Sequence, residues 1–411
     1  MSSQSPNDRS SYDSYAEHVN ASYPDFLRRL GLENVAVHAT AARITDSAGQ
    51  SYIDCTAGYG LFNLGHNPPK VVEALIEQLR STGAQTKPLI SAIQAEFAER
   101  LVQATPEGLD CVFLCNSGSE AVDNALKLAR LTSRRKKIVA ANGSFHGYTY
   151  GALSVTGIKK FRMPFEPMVP DIEFIDYGDL QAANQVIDKH TAAVILEPMQ
   201  HEAGVSIPAG GYFQGIRDIC DKHGTLLIID EVKTGFGKTG SLFATQMLGV
   251  RPDIMVLGKS LGGGLIPSGA LLASKELWKR FGLSFPMSAS SYAGNALACR
   301  AGLAVLDTFN ETDLIPACVQ KGLLLETKFT KLLSDYSDIL VRATGQGLLY
   351  SLKLSNPKLT FELSKQLIKQ GILAMPAFGN NAELMIEPPL VISEAELRQV
   401  THGISTALGK I

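Results

Sequence analysis

The 411-residue sequence lacks both a charge excess and a long apolar segment. Lys and Arg number 38 against 40 Asp and Glu, which gives a formal net charge of −2 at pH 7. Without a basic excess to neutralise phosphate groups, nucleic acid is not expected as a partner. Gly, Lys or Asp interrupts every apolar run before it reaches the about 20 residues that a membrane helix needs, so no membrane insertion is expected.

Cysteine is also scarce, and the first residues lack the marks of a secretory signal. Six scattered cysteines in a chain of this length do not form a disulfide framework. Cys111 and Cys115 lie in the apolar run CVFLC with no His or Cys pair nearby, so buried thiols are expected there rather than a metal site. The polar stretch Met1–Ser14 has no basic start and no apolar core, which predicts a disordered tail on a cytoplasmic protein.

The motifs of several enzyme classes are missing as well. The eight histidines are scattered, and no Gly-x-Ser-x-Gly turn follows a predicted strand. The glycine runs at residues 235–237 and 262–264 lack the GxGxxG order of a dinucleotide site. Metal catalysis, hydrolysis by a Ser-His-Asp triad and dinucleotide binding are therefore not expected, and no residue is assigned to a metal.

What the sequence does contain is a regular alternation of short apolar runs with longer helical patterns. This alternation is typical of an α/β fold with a mostly parallel sheet. The predicted core strands are Asp110–Cys115, Lys137–Ala140, Ala192–Glu197, Thr225–Asp230 and Ile254–Leu257. Residues 119–131 (SEAVDNALKLARL) have apolar positions at helical spacing and an acid in the first turn, which predicts a crossover helix.

The chain is long enough for a large domain and a smaller one. We expect the large domain at residues 61–315, the small domain at residues 316–411, and an N-terminal segment at residues 15–60 that packs with the small domain. The further elements predicted in these outer segments are a hairpin at Arg43–Asp54, a strand at Gly347–Leu352 and a helix at Pro357–Gly371.

Two of the predicted strands end in residues suited to chemistry. The segment 226–237 (LLIIDEVKTGFG) leads an apolar strand into Asp230, and the segment 252–264 (PDIMVLGKSLGGG) leads another into Lys259 and a glycine-rich turn. Ligand sites in parallel sheets lie at the carboxyl ends of strands, and a desolvated lysine forms Schiff bases with carbonyl groups. Taken singly, each residue is also explained as a solvated charge at a strand end.

A third segment, residues 116–130 (NSGSEAVDNALKLAR), passes through small hydroxyl and glycine residues into a helix. The free N–H groups and the dipole at a helix N-terminus favour an anion such as phosphate, to which Ser117 and Ser119 would add donors. A simple helix cap explains the same residues equally well. A phosphate cradle, a strand-end carboxylate and a strand-end lysine are together what pyridoxal phosphate requires.

At this point the sequence closely resembles the class III aminotransferases, the pyridoxal-phosphate fold type I group that includes ornithine, acetylornithine and gamma-aminobutyrate aminotransferases. The resemblance extends from residue 40 to residue 395. It implies a large domain with a seven-stranded, mostly parallel sheet and a smaller α+β domain built from the N- and C-terminal segments. The matching motifs are NLGHNPP at Asn63, NSGSEAVDNALKLAR at Asn116, GSFHG at Gly143, EPMQHEAGV at Glu197, IDEVKTGFGKTG at Ile229, LGKSLGGG at Leu257 and SSYAGN at Ser290.

The resemblance also implies roles for individual residues. Lys259 would hold pyridoxal 5'-phosphate as a Schiff base and transfer the substrate proton, and Asp230 would pair with the protonated ring nitrogen. Ser291 matches a Thr that in relatives reaches the phosphate from the neighbouring subunit, which implies a homodimer. The reaction would be a ping-pong exchange between an amine donor and a carbonyl acceptor. The other expected cofactor contacts are Ser117, Gly118, Ser119, Phe145, Val232, Lys233 and Ser290.

Two positions depart from the family pattern where many relatives have a carboxylate-binding Arg. Here they are Tyr148, after GSFHG, and Met385, before IEPPL. Losing both guanidinium forks argues against glutamate and 2-oxoglutarate in their usual pose. With Tyr59, which aligns with a substrate-facing Tyr of relatives, the pocket would be more aromatic and less cationic. We therefore expect a substrate without a carboxylate next to the reacting carbon, in a specialised biosynthetic pathway.

Two further departures lie close to the expected cofactor. Lys233 stands where the family usually has a Gln that contacts the phenolic oxygen of the cofactor, and a cation there would favour the ionised oxygen unless the side chain turns to solvent. His201 replaces the common Gly beside Glu202, in the segment that lines the substrate entrance in relatives, although a surface position explains it too. The expected substrate contacts are Tyr59, Tyr148, Glu202 and Met385. An amino acid racemase, epimerase or aminomutase of the same fold, or a non-catalytic binding protein, is an alternative reading.

Overall fold

The computed structural model describes residues 8–85, 89–282 and 290–411. In these ranges the chain forms three sheets and a series of helices that alternate with the strands. The strands are β1 (Ala36–Thr40), β2 (Arg43–Asp46), β3 (Ser51–Asp54), β4 (Cys111–Cys115), β5 (Lys137–Ala141), β6 (Ile172–Ile175), β7 (Thr191–Leu196), β8 (Leu226–Asp230), β9 (Ile254–Leu257), β10 (Gly269–Ala273), β11 (Leu340–Gln346), β12 (Leu349–Leu354), β13 (Ile372–Leu373) and β14 (Glu383–Ile386).

The helices vary from single turns to the 22 residues of Leu314–Asp335, and two 3-10 turns lie at Met163–Phe165 and Lys259–Gly262. The helices are α1 (Asp8–His18), α2 (Ser22–Leu30), α3 (Ala57–Gly60), α4 (Pro69–Arg80), α5 (Ala92–Ala104), α6 (Gly118–Ser133), α7 (Tyr150–Val155), α8 (Lys159–Arg162), α9 (Leu180–Val186), α10 (Tyr212–His223), α11 (Thr245–Leu248), α12 (Lys275–Gly282), α13 (Ala296–Glu311), α14 (Leu314–Asp335), α15 (Pro357–Lys369) and α16 (Glu394–Leu408).

The largest sheet confirms the predicted α/β class. Its seven strands have the order β4-β10-β9-β8-β7-β5-β6. The strands from β9 to β6 in that order are parallel, and β10 is antiparallel to both of its neighbours. All five predicted core strands are present with ends within one residue of the prediction, and the predicted crossover helix is α6. The strands β6 and β10 were not among the predicted ones.

The apolar character of the central strands follows from their burial on both faces of the sheet, as in other parallel sheets. All six residues of β7 are buried. One face packs against α6, and the opposite face packs against α9 and α10. Both faces are covered by helices, so the carboxyl ends of the strands form the edge at which polar side chains can gather.

Two smaller sheets lie outside the large one. The predicted hairpin is formed by β2 and β3, and β13 from the C-terminal segment extends this sheet by pairing in parallel with β3. The third sheet has the order β11-β12-β14. Its middle strand begins at Leu349 rather than Gly347, because Gly347 has a φ of +60° and belongs to the turn after β11. The predicted helix ends at Lys369, two residues before the expected Gly371.

The disordered tail predicted through Ser14 is wrong for the residues that the structure describes, because α1 already begins at Asp8. Tyr12 is buried and donates a hydrogen bond to the carbonyl oxygen of Leu32 at 2.8 Å, which anchors α1 to the segment after α2. Residues 1–7 lie outside the described part. Within the described part of the chain, no helix combines the length and the apolar character that crossing a membrane requires.

Candidate active site

A cavity of about 340 Å³ opens at the carboxyl ends of the parallel strands. Asp230 is the last residue of β8, Glu197 directly follows β7, and Lys259 lies two residues after β9. These three strands are parallel neighbours, so their ends meet at one edge of the sheet. All three side chains line the cavity, which brings the predicted carboxylate and lysine into one site.

Lys259 stands on a constrained piece of backbone. It begins a 3-10 turn and has a φ of +47°, a conformation that is strained for a residue with a Cβ. Burial lowers the pKa of Lys259 to about 8, and the Lys233 ammonium lowers it further while Asp230 opposes the shift. Roughly a tenth of Lys259 is therefore the free amine at pH 7, far more than for a lysine of ordinary pKa, and this is the form that attacks carbonyl groups and accepts protons.

Asp230 is buried, and two donors hold its carboxylate. Its Oδ2 lies 2.6 Å from Nδ1 of His146, and its Oδ1 accepts a hydrogen bond from the Val232 N–H at 3.0 Å. The His146 ring also lines the cavity, and its buried Nε2 has no hydrogen-bond partner among the described residues. His146 is a positioning residue for Asp230 that the sequence reasoning did not identify.

The N-terminus of α6, where the phosphate cradle is predicted, borders the cavity. The helix-cap explanation holds for Ser117, whose hydroxyl accepts from the Glu120 N–H at 3.1 Å. The N–H groups of Gly118 and Ser119 lie in the first turn, where the helix leaves them unpaired, and both residues line the cavity. A Cβ at Gly118 would lie only 2.7 Å from a Val232 methyl group, which explains why this position has no side chain.

Glu197 is a buried acid that lines the cavity next to the aromatic ring of Phe145. Phe145 and Val232 both line the cavity, as expected for contacts to a flat ring. The Phe145 N–H donates to Glu197 at 3.0 Å. Burial raises the pKa of Glu197 well above its usual range and the nearby Asp230 carboxylate raises it further, so the protonated form is favoured. Glu197 was used only as a motif residue in the sequence and was not predicted as part of the site.

The mouth of the cavity is aromatic. Tyr148 is 63% exposed and lies edge-on to Phe145, with ring centroids 5.0 Å apart. On the other side Tyr59 contacts Phe378, with centroids 5.3 Å apart. Burial raises the pKa of both tyrosines, so their hydroxyl groups stay protonated. Both predicted tyrosines therefore line the cavity, together with a phenylalanine that the sequence gave no reason to select.

Four charged side chains form a connected group that we call the ion cluster: Lys233, Glu387, His201 and Glu202. The Lys233 ammonium forms an ion pair with the buried Glu387 carboxylate. The His201 ring bridges both acids, with Nε2 3.1 Å from Glu387 and Nδ1 3.3 Å from Glu202. Burial would raise the pKa of Glu387, but Lys233 and His201 outweigh it and hold the pKa below its usual range.

Lys233 and His201 were expected either beside the cofactor and substrate or at the solvent-exposed surface, and the ion cluster favours the first position. Lys233, His201 and Glu202 line the cavity, and neither Lys233 nor His201 is a surface residue, since their exposed fractions are 6% and 5%. Glu387 lies behind them and was missed. Its signal in the sequence is an acid in the otherwise apolar run LMIEPPLVI, but its partner Lys233 is 154 residues away and could not be identified from that run.

Three predicted site residues do not line the cavity of this chain. Met385 is 3% exposed and packs in an apolar cluster with Met199 and Val205, so its predicted contact with the substrate is wrong for this structure. Ser290 accepts a hydrogen bond from Asn116 at 2.8 Å, just before α6. Ser291 is exposed, and its contact with a neighbouring subunit stays a prediction.

The residues present fit pyridoxal phosphate. Side chains are excluded where α6 begins, since a Cβ at Gly118 would meet Val232 and a Cβ at Gly147 would collide with Ser119. The space that this leaves borders the free N–H groups of the helix and suits a phosphate group. Lys259 and the buried carboxylate of Asp230 line the same cavity and are the groups that an aldehyde and a ring nitrogen require.

Comparisons with known proteins agree with this geometry. The family model described as "Aminotransferase class-III" matches residues 31–408. An ornithine aminotransferase from Toxoplasma gondii is 27% identical with a TM-score of 0.92, over 99% of this chain and 96% of that chain. Another structure of that enzyme has partial occupancy of PLP at its active site.

A second similar structure is an (S)-enantioselective omega-transaminase from Thermomicrobium roseum. It is 27% identical, with a TM-score of 0.91 and 99% coverage of both chains. The expected family, the fold and the enzyme class are thereby confirmed. The chain belongs to the class III aminotransferases and is a transaminase.

Proposed function

We propose that this enzyme transfers an amino group, by a ping-pong mechanism, between an amine and an aldehyde or ketone whose reacting carbon carries no carboxylate. One observation carries the proposal. Among the described residues that line the cavity there is no arginine, and the one lysine besides Lys259, Lys233, is already paired with Glu387. The cavity therefore lacks the bidentate fork that would hold an α-carboxylate.

Each residue of the site has a task in this proposal. The N-terminus of α6 would hold the phosphate group, and Asp230, positioned by His146, would pair with the ring nitrogen. Pyridoxal phosphate, when bound, supplies the electron-withdrawing ring that makes the substrate Cα–H acidic. The Nζ of Lys259 would accept the proton from Cα and deliver it to the cofactor rather than back to Cα, and the lowered pKa of Lys259 suits that proton transfer. The rings at the mouth limit the access of water.

The working unit in this proposal is a homodimer. Ser291 is exposed and does not line the cavity of its own chain, as a residue that serves the partner's site would be. The phosphate would then be held by α6 of one subunit and by Ser291 of the other.

The test is the visible absorbance of the cofactor-loaded enzyme during addition of amines and then of aldehydes and keto acids. We expect simple amines to bleach the band and carbonyl compounds to restore it. A band that persists while deuterium from solvent enters the substrate Cα would establish racemisation or amino migration instead. If no substrate changes the cofactor band and no deuterium enters any substrate, the protein has a non-catalytic role.

A further inference from the structure

The cations of a cavity decide which anionic groups it can bind. In the described part of the chain, the basic side chains that line this cavity are Lys259, Lys233, His146 and His201, and His146 lies against Asp230. Lys259 is committed to the cofactor and to proton transfer. A substrate carboxylate would therefore have to form its ion pair with the ammonium of Lys233.

An acidic side chain of the protein itself already pairs with the Lys233 ammonium. Lys233 is paired with Glu387, and His201 lies between Glu387 and Glu202. Two basic groups thus face two carboxylates within the wall of the cavity. Among the described residues of this wall, a substrate carboxylate that enters meets no unpaired lysine or arginine, so it loses its hydration without compensation.

The backbone and the side chain of Glu387 are both held in place. Its backbone N–H donates to the Cys55 carbonyl at 2.9 Å, and its own carbonyl accepts from the Lys238 ammonium at 2.8 Å. The same ammonium donates to the Pro388 carbonyl at 2.8 Å, so Lys238 anchors two successive carbonyl groups. The Glu387 side chain is fully buried, and its carboxylate contacts Nε2 of His201 at 3.1 Å as well as Lys233. The fold therefore holds the carboxylate against Lys233.

We propose that Glu387 is a specificity-determining residue that excludes anionic substrates by holding the ammonium of Lys233 in a permanent internal ion pair. Removing this carboxylate converts the wall of the cavity into a carboxylate-binding site. The inference rests on the proposed function, because it concerns the substrates that the same transamination site accepts.

The test compares ω-amino carboxylates with n-alkylamines of the same chain length, such as 4-aminobutyrate with butylamine. For each compound, the rate of loss of the cofactor band is measured as a function of concentration, and the ratio of carboxylate to amine is calculated. In Glu387→Gln the ratio should rise at least about tenfold over the native enzyme, because Lys233 is then available to the carboxylate. In the double variant Lys233→Gln/Glu387→Gln the rise should disappear.

The ratio separates the inference from the proposed function. If the native enzyme reacts with α-amino acids faster than with amines, the proposed function is wrong. If it prefers amines but Glu387→Gln leaves the ratio unchanged, the specificity role of Glu387 is wrong. Equilibrium binding of butyrate to each cofactor-loaded protein gives a second readout, since it should tighten in Glu387→Gln only. If Glu387→Gln does not fold, Glu387→Leu must show the same rise in ratio, and its absence there overturns the inference.

Discussion

At the scale of single residues, the chemistry of the site depends on how charges compensate one another. Lys259 and Lys233 both lie against Gly60, since a Cβ at that glycine would be 3.2 Å from the Cδ of each. The two ammonium groups therefore repel, and together with burial this lowers the pKa of Lys259 to about 8. On its other side, Lys233 forms an ion pair with Glu387.

This arrangement predicts how cofactor incorporation depends on pH. The free amine of Lys259 is the reactive form, so the rate at which cofactor-free protein gains its visible band from pyridoxal phosphate should rise with pH and level off above about 8. In Lys233→Gln a neighbouring cation is lost and the pKa of Lys259 rises, so the midpoint should move to higher pH. Lys189→Gln, on the surface, is the control. An unchanged midpoint in Lys233→Gln would contradict the repulsion between the two lysines.

Single residues also show where sequence reasoning succeeds. Asp230 and Lys259 could be selected because each lies at the carboxyl end of an apolar strand, and parallel strands bring such ends together. Glu387 and His146 were missed because their importance lies in partners far away in sequence. Met385 was misassigned because alignment with an Arg position says nothing about which way a different side chain packs.

At the scale of elements, the turn α3 connects the N-terminal sheet to the catalytic lysine. Its four residues all have positive φ, from +44° at Ala57 to +95° at Gly60. Asp54 supports the turn by accepting from the Thr56 and Ala57 N–H groups at 2.8 and 3.1 Å. Ser260, next to Lys259, donates to the Gly60 carbonyl at 2.7 Å. The turn thereby presents Tyr59 to the cavity.

A pair of glycine substitutions tests this role of α3. Gly60→Ala and Gly49→Ala both place a Cβ at positive φ, which costs about 1–2 kcal/mol in each case. Only Gly60→Ala also crowds Lys233 and Lys259, because nothing lies within 4 Å of a Cβ at Gly49. Thermal melting and titration with pyridoxal phosphate should show similar destabilisation for both variants and weaker cofactor binding for Gly60→Ala alone. Equal cofactor affinities would mean that α3 does not position the lysines.

Elements of this kind are hard to predict. The sequence AGYG contains glycines that suggest a turn, but residues such as Ala57 and Tyr59 rarely adopt positive φ, and nothing in the local pattern indicates the long-range hydrogen bond from Ser260 to Gly60. The five predicted strands of the large sheet were recognisable because their apolar runs are continuous. The two that were missed are short: β6 is the four-residue IEFI, which contains an acid, and β10 is the five-residue GALLA.

At the scale of the whole molecule, the ends of the chain come together beside the site. β13 pairs with β3. The C-terminal segment also supplies Phe378, which lines the cavity, and Glu387, which contacts His201 in the wall of the cavity. The family resemblance predicted this arrangement. The pairing of a two-residue strand with a partner more than 300 residues earlier has no signal in local periodicity.

The proposed homodimer is tested by light scattering and by cofactor affinity. The expected mass is twice that of the 44.2 kDa chain. Ser291→Ala should weaken binding of pyridoxal phosphate, because a phosphate donor from the partner is lost, whereas Ser337→Ala, at another exposed serine, should not. A monomeric mass with full cofactor affinity would contradict the shared site.

The central claim is that the enzyme transaminates substrates without a carboxylate on the reacting carbon. The most direct measurement compares the rates at which ethylamine and alanine, or propylamine and 2-aminobutyrate, bleach the cofactor band of the native enzyme. We predict that each amine reacts at least about tenfold faster than its carboxylated counterpart, because the carboxylate would be desolvated without a cation to receive it. Equal rates, or faster reaction of the amino acids, would contradict the account.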